Sequence, residues 1–310
     1  MGCNERYWVC AGVDERESAL LPSRLSETGL YEDLKTDRIA PSVRAYRPQF
    51  ALWSDGAEKR RWVGLPDGSA IDTGDMDNWR FAAGTKFWKE FTRDGVRVET
   101  RLIAKIGAGD EDWVFMPYLW NADESDAIAA PYGAIDARGT PHDVPAANEC
   151  KSCHGGRDSR VLGFSAIQLS APAEVGEIAL AELGEKGLIT SPPDQAFVVP
   201  GDDTERAALG YLHANCGECH NQSRPPAVGP RCFEPRNELD VWLRTSALAS
   251  VEETPTYQTA FDGFAERGHP DQSRIVRRIS QRGFGSMPCV GSERVDAAAV
   301  ALLRRWIAER

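Results

Sequence analysis

Between Tyr46 and about Val114, aromatic and β-branched residues alternate with charged ones in short runs at 49–53, 59–63, 85–91 and 97–103. Turn signals at Pro66-Asp67-Gly68, Thr73-Gly74-Asp75 and Arg93-Asp94-Gly95 separate the runs. Successive side chains on a strand point to opposite faces. The pattern therefore predicts an antiparallel β-sandwich or barrel-like domain over 41–130, with one solvated face. Trp53, Trp62, Trp79, Trp88, Trp113 and Trp120 all fall in or beside these runs and read as core filling. Ahead of them, 1–40 is a leader segment, with a loop and one short helix at 22–30.

Further along the chain the apolar period changes to that of helices. One helix is predicted over about 172–185, burying Leu180 and Leu183 and ending near Gly187. A second runs from Asp203 through Glu205, Ala208, Leu209, Leu212 and His213. The third, over about 293–309, carries the stripe Val295, Ala299, Leu302, Leu303 and Trp306. On these grounds 131–310 is expected to be mainly α-helical.

Two stretches in that half carry the chemistry: Cys150-Lys-Ser-Cys153-His154 and Cys216-Gly-Glu-Cys219-His220, 66 residues apart. The C-x-x-C-H spacing is that of c-type haem attachment. Two thiols add to the porphyrin vinyl groups and the adjacent histidine reaches the iron. Two copies predict two covalently bound haem c groups, dividing the half into a first haem segment at 131–202 and a second, cytochrome c-like module at 203–310. The competing readings are a redox C-x-x-C pair and a structural zinc site drawing on both pairs. Neither needs a histidine placed identically after each second cysteine.

His154 and His220 are then the proximal ligands. Met287, in the glycine-supported loop Gly283-Phe284-Gly285-Ser286-Met287-Pro288, is the expected distal ligand of the second iron. No methionine lies between Cys153 and Cys216. For the first iron the candidates are therefore His213, Met116 and His142, or an open position. Arg157 and Arg160 are the arginines nearest an open face, and His269 begins a turn. The acidic groups Asp55, Asp72, Asp75, Asp77 and Asn121, Asp123, Glu124, Asp126 lack a calcium-loop pattern and read as solvated turns.

Composition is ordinary for a globular chain: 310 residues, 42% hydrophobic and 27% charged. A net charge of -11 disfavours nucleic acid and anionic membranes and favours redox partners, donor and acceptor, with a basic docking surface. No apolar run reaches the length of a membrane span. Covalent haem implies export, to the periplasm or cell surface, so the four remaining cysteines are candidates for disulfides, with Cys232–Cys289 and Cys3–Cys10 the favoured pairing. Cys3 is also where a lipoprotein leader is cut in one reading, which would make the protein lipid-anchored.

The segments at 52–62, 81–91 and 211–220 resemble bacterial exported dihaem c-type cytochromes that carry an N-terminal β-rich domain of undefined role. The likeness spans about 25–307 and includes both attachment motifs and the Met287-Pro288 loop. At Gly268-His269-Pro270-Asp271 this chain departs from the Pro-Gly-Asp-Pro that relatives usually show. The resemblance implies single-electron transfer between redox partners. A peroxidase-like dihaem oxidoreductase with an open first haem is the alternative, and a redox-reporting binding module the third.

Overall fold

A computed structural model of the chain describes residues 14–224, 234 and 236–310. Its framework is eight strands in two antiparallel sheets. β1 (Tyr31–Asp33) and β2 (Arg38–Ile39) pair only with each other. The other six, β3 (Val43–Ala45), β4 (Glu58–Gly64), β5 (Lys86–Arg93), β6 (Val96–Lys105), β7 (Trp113–Trp120) and β8 (Ala127–Ala129), form one meander in chain order. Its tightest connection sets Arg93 opposite Val96 across Asp94 and Gly95, both at positive φ. A two-residue hairpin of that twist needs such backbone, and Asp-Gly supplies it cheaply.

Register sorts the side chains into two faces. Trp62, Trp88, Leu102 and Met116 stand side by side on one. They pack with Trp120 under Leu25, Leu30 and Tyr31 of the preceding segment. The indole N–H groups of Trp88 and Trp120 donate to Thr28 and Thr100 hydroxyls at 3.1 Å, so the tryptophans act as core residues. On the opposite face Val63, Phe87, Ile103 and Phe115 share a core with Tyr46, Trp79, Phe164, Leu180 and Leu183. The expected sandwich or barrel with a solvated face is thus corrected. One open sheet has irregular chain over both faces, and the only other sheet among the described residues is the two-stranded β1–β2 pair.

The expectation of a mainly α-helical second half is also overturned. Described helices are α1 (Glu15–Ser18), α2 (Cys150–His154), α3 (Leu180–Glu185), α4 (Asp203–Asn215), α5 (Pro255–Ala260), α6 (Arg274–Ile279) and α7 (Ala297–Ala308). Only α4 and α7 exceed two turns, and long irregular stretches separate the rest. The stretch expected to be helical from 172 is extended or turning until Leu180, because Pro172 and Gly176, at φ +88°, interrupt it. Much of 161–189 finds its hydrophobic partners on the sheet and needs no helical core of its own. α4 and α7 form where caps and apolar stripe agree. Asp202 accepts the Glu205 N–H while Glu205 reaches back to Asp202 N–H, and Asp296 accepts the Ala299 N–H. Leu209, Leu212, Val276, Leu303 and Trp306 then close a second core.

Candidate functional site

One cavity of about 290 Å³ runs between the sheet face bearing Phe115, the α2 helix, the C-terminus of α4 and the loop holding Met287. Both C-x-x-C-H motifs line it with every thiol and both imidazoles. The first motif is α2 itself. The second continues α4 as a turn, in which Cys219 and His220 N–H groups both donate to the Cys216 carbonyl.

All four thiols are free and half-buried. Burial pushes Cys150 up to about 11 and Cys216 and Cys219 up to about 12, and raises Cys153 as well. Thiols kept protonated are the reverse of what a dithiol redox pair requires. Among the described residues no three His, Cys, Asp or Glu side chains are grouped as a metal ion would need. Such a donor arrangement does not fit zinc. It does fit a porphyrin, which takes thiols two by two and one imidazole per iron.

The His154 ring is held in one orientation. Its Nδ1 donates to the Arg160 carbonyl at 2.7 Å, which fixes the tautomer and leaves Nε2 with the lone pair. The ring lies 5.0 Å from that of Phe115, and burial, then Lys89, holds its pKa well below the ordinary value. Burial likewise brings His220 down to about 4, with Arg224 and Arg278 adding to it. Both imidazoles are therefore neutral at pH 7.

The two motifs touch through their backbones. A Cβ on Gly156 would stand 1.9 Å from the Glu218 carbonyl oxygen, so the second residue after the first motif must be glycine for the chains to approach this closely. Arg224 straps the same junction, donating to the Glu218 and Ser152 carbonyls at 2.7 Å each and lying 3.7 Å from Cys219 Sγ. Burial pushes the Glu218 carboxyl up to about 7 against the pull of Arg157, Lys89 and Arg224.

Met287 reaches the cavity on a loop fixed at both ends. Its N–H donates to the Arg278 carbonyl, and its own carbonyl accepts from Arg282, both at 2.9 Å. Beyond it, the Asp55 carboxylate accepts from Ser292 Oγ and from the Glu293 and Arg294 N–H groups. Asp55 thus ties the Met287 loop to the start of the sheet domain and does not act as a free turn aspartate. Cys289 is disulfide-bonded. Cys3, Cys10 and Cys232, and with them the expected pairings Cys232–Cys289 and Cys3–Cys10, lie outside the described residues.

Of the candidates for the first iron, only His142 lines the cavity. Its Nε2 donates at 2.7 Å to Glu99, which Arg101 also engages. Burial alone would raise the Glu99 carboxyl, but Arg101 and His142 hold it below its usual value. Met116 points to the other sheet face, in the core beneath Leu25. His213 is buried away from the cavity, 4.2 Å from the Trp242 ring, and its Nδ1 accepts the Leu243 N–H. Arg157 stacks on Trp242, Arg160 pairs with Glu111, and His269 is exposed.

His213 carries a prediction of its own. Burial, with Arg157 nearby, lowers its pKa to about 3, so the folded chain refuses a proton that the unfolded chain accepts below about 6.5. Stability should fall by roughly 1.4 kcal/mol per pH unit as pH drops from about 6.5 towards 3. In His213→Gln, whose amide oxygen still accepts from Leu243, acid unfolding should begin at lower pH. Equal acid midpoints for the two proteins would refute this.

Reasoning from sequence missed Lys59, Arg61, Lys89 and Arg101, which all line the cavity. Charges alternating with apolar residues read as a solvated face, and only cross-strand register reveals that three of them stand in a row. Comparison of the chain with protein-family models, curated proteins and solved structures returned no match.

Proposed function

We propose that this protein is an exported dihaem c-type cytochrome of the kind it resembles, passing single electrons between a donor and an acceptor protein. What carries this is the meeting of both C-x-x-C-H motifs, with all four thiols free, in one cavity that Met287 also reaches. Covalently bound haem would supply the one-electron chemistry.

The chain's own residues have definite tasks. Cys150, Cys153, Cys216 and Cys219 attach the group, and His154 and His220 present neutral imidazoles, the first oriented by the Arg160 carbonyl. Met287 offers a soft thioether that favours ferrous iron. Phe115 and Ile103 keep water from the wall behind His154, and Gly156 with Arg224 fixes the two attachment points in one frame. No described helix is long and apolar enough to cross a membrane. The net charge of -11 suits basic partners, whose docking should weaken as salt rises.

A second reading, a peroxidase-like oxidoreductase, draws on one observation. His142 and Arg101 line the cavity beside α2, both held by the buried Glu99 carboxylate behind them, and Met287 is the only methionine lining it among the described residues. An imidazole and a guanidinium over an open iron face are groups that could move a proton to and from a small oxidant.

Two measurements test these readings. Mass spectrometry of protein made with intact cytochrome maturation should find two haem additions; bare polypeptide or bound zinc would overturn the proposal. Electron paramagnetic resonance of the oxidised protein should then show two low-spin irons for a carrier. A high-spin iron that reacts with peroxide would move the assignment to the second reading.

A further inference from the structure

Three cations from three neighbouring strands face each other on the cavity side of the sheet. Arg61 on β4 is opposite Lys89 on β5, which is opposite Arg101 on β6. Lys59, two residues before Arg61, lies on the same face, and all four line the cavity. Like charges directly opposite on adjacent strands repel, and burying them without counter-charge costs several kcal/mol. Arg101 is paired with Glu99. For Arg61, Lys59 and Lys89, no carboxylate among the described residues comes within ion-pair distance. Lys59 donates instead to the Leu52 carbonyl and the Ser54 hydroxyl, and Lys89 to the Leu162 carbonyl at 3.0 Å.

Burial and mutual repulsion leave their mark, bringing Lys89 down to about 7 and Lys59 well below its usual range. A sheet could fill these central positions with Val or Ile at no such cost. The row makes physical sense only if an anion occupies the cavity against it. It stands beside the first motif, close enough for Lys89 and Arg101 to act on both Cys150 and His154.

We propose that this row is a buried carboxylate-binding site, and that the two propionates of the porphyrin held by Cys150 and Cys153 are its ligand. This rests on the dihaem reading and gives the β-rich domain a task, that of charge-matching the first haem. With its propionates neutralised and cations close by, that centre is held at a higher potential than its ligands alone would set.

The test uses the matured full-length holoprotein. Lys89→Met and Arg61→Met should each keep two covalent haems by mass. Resonance Raman should show the propionate bending band of one haem shifted, and redox titration should show a lower midpoint potential for one centre with the other unchanged. Lys186→Met, an exposed charge removed elsewhere, should alter neither. Two haems with an unmoved band and unmoved potentials in both variants would overturn the proposal. If the matured wild-type chain carries no porphyrin, the dihaem reading fails by itself. The row is then read by calorimetry with succinate. Binding that weakens at least tenfold in Lys89→Met would reassign the row to a free carboxylate, overturning the propionate assignment, and no binding would overturn the anion site altogether.

Discussion

Truncating Met287 to alanine is expected to lower the midpoint potential of one haem centre by on the order of 0.1 V or more and to leave the other in place. The size follows from the roughly 0.8 V that axial ligation commands. Selectivity follows from geometry, since among the described residues Met287 is the one methionine in the cavity and lies on the loop pinned by Arg278, Arg282 and Asp55. Those contacts are made by its backbone and its neighbours, so the variant removes the thioether and leaves the loop where it is. If Met287 merely fills space, the variant should cost less than the ~2–5 kcal/mol of a fully buried Met→Ala change and should not touch the potential. Redox titration followed in the visible spectrum separates the cases. Two unchanged midpoints would remove Met287 from the ligand set.

The attachment motifs were legible in the sequence because their chemistry is local: five residues fix where both sulfurs and the imidazole go. α4 and α7 were legible for a similar reason, their Asp caps and apolar stripes agreeing within a dozen residues. The sheet's strands could be read, but what covers them could not. Alternation tells which side chains share a face and is silent on whether water or chain lies over it. That is why nothing in the alternation points to Lys59, Arg61 and Lys89, which line the cavity, Arg61 buried and the two lysines half-buried. The same limit hid the second half's architecture. Leu180 and Leu183 suggested a helical core, yet they share a core with Phe87 and Ile103, 77 to 96 residues earlier in the chain. His213, Met116 and His142 could not be ranked because sequence distance to Cys150 says nothing about sheet face. Met116 sits on a strand whose next residue towards the N-terminus, Phe115, faces His154.

Replacing Gly156 with valine should do more damage than any change to a ligand, because it separates the two motifs. Even one Cβ would meet the Glu218 carbonyl oxygen at 1.9 Å and its carbon at 2.9 Å, and both belong to backbone that cannot swing aside as a side chain can. Either segment must move, carrying Cys153 and His154 or Cys216 and Cys219 with it, and the Arg224 strap across Ser152 and Glu218 is lost in the process. Overpacking in a close-packed region costs about 1–3 kcal/mol and more when only backbone can yield, so a loss of about 3 kcal/mol or more is expected. Gly95→Ala separates this from the general cost of replacing glycine. Gly95 has φ +78° and nothing within 4 Å of a new Cβ, so its variant should lose only about 1 kcal/mol of backbone preference. Arg224→Met, which removes the strap and keeps the glycine contact, should fall between the two. Thermal melting ranks the three, and the yield of doubly haem-loaded chain reports whether the motifs still meet. Were Gly156→Val to melt with the wild type and mature with both haems, the close backbone approach would have no part in holding the site together.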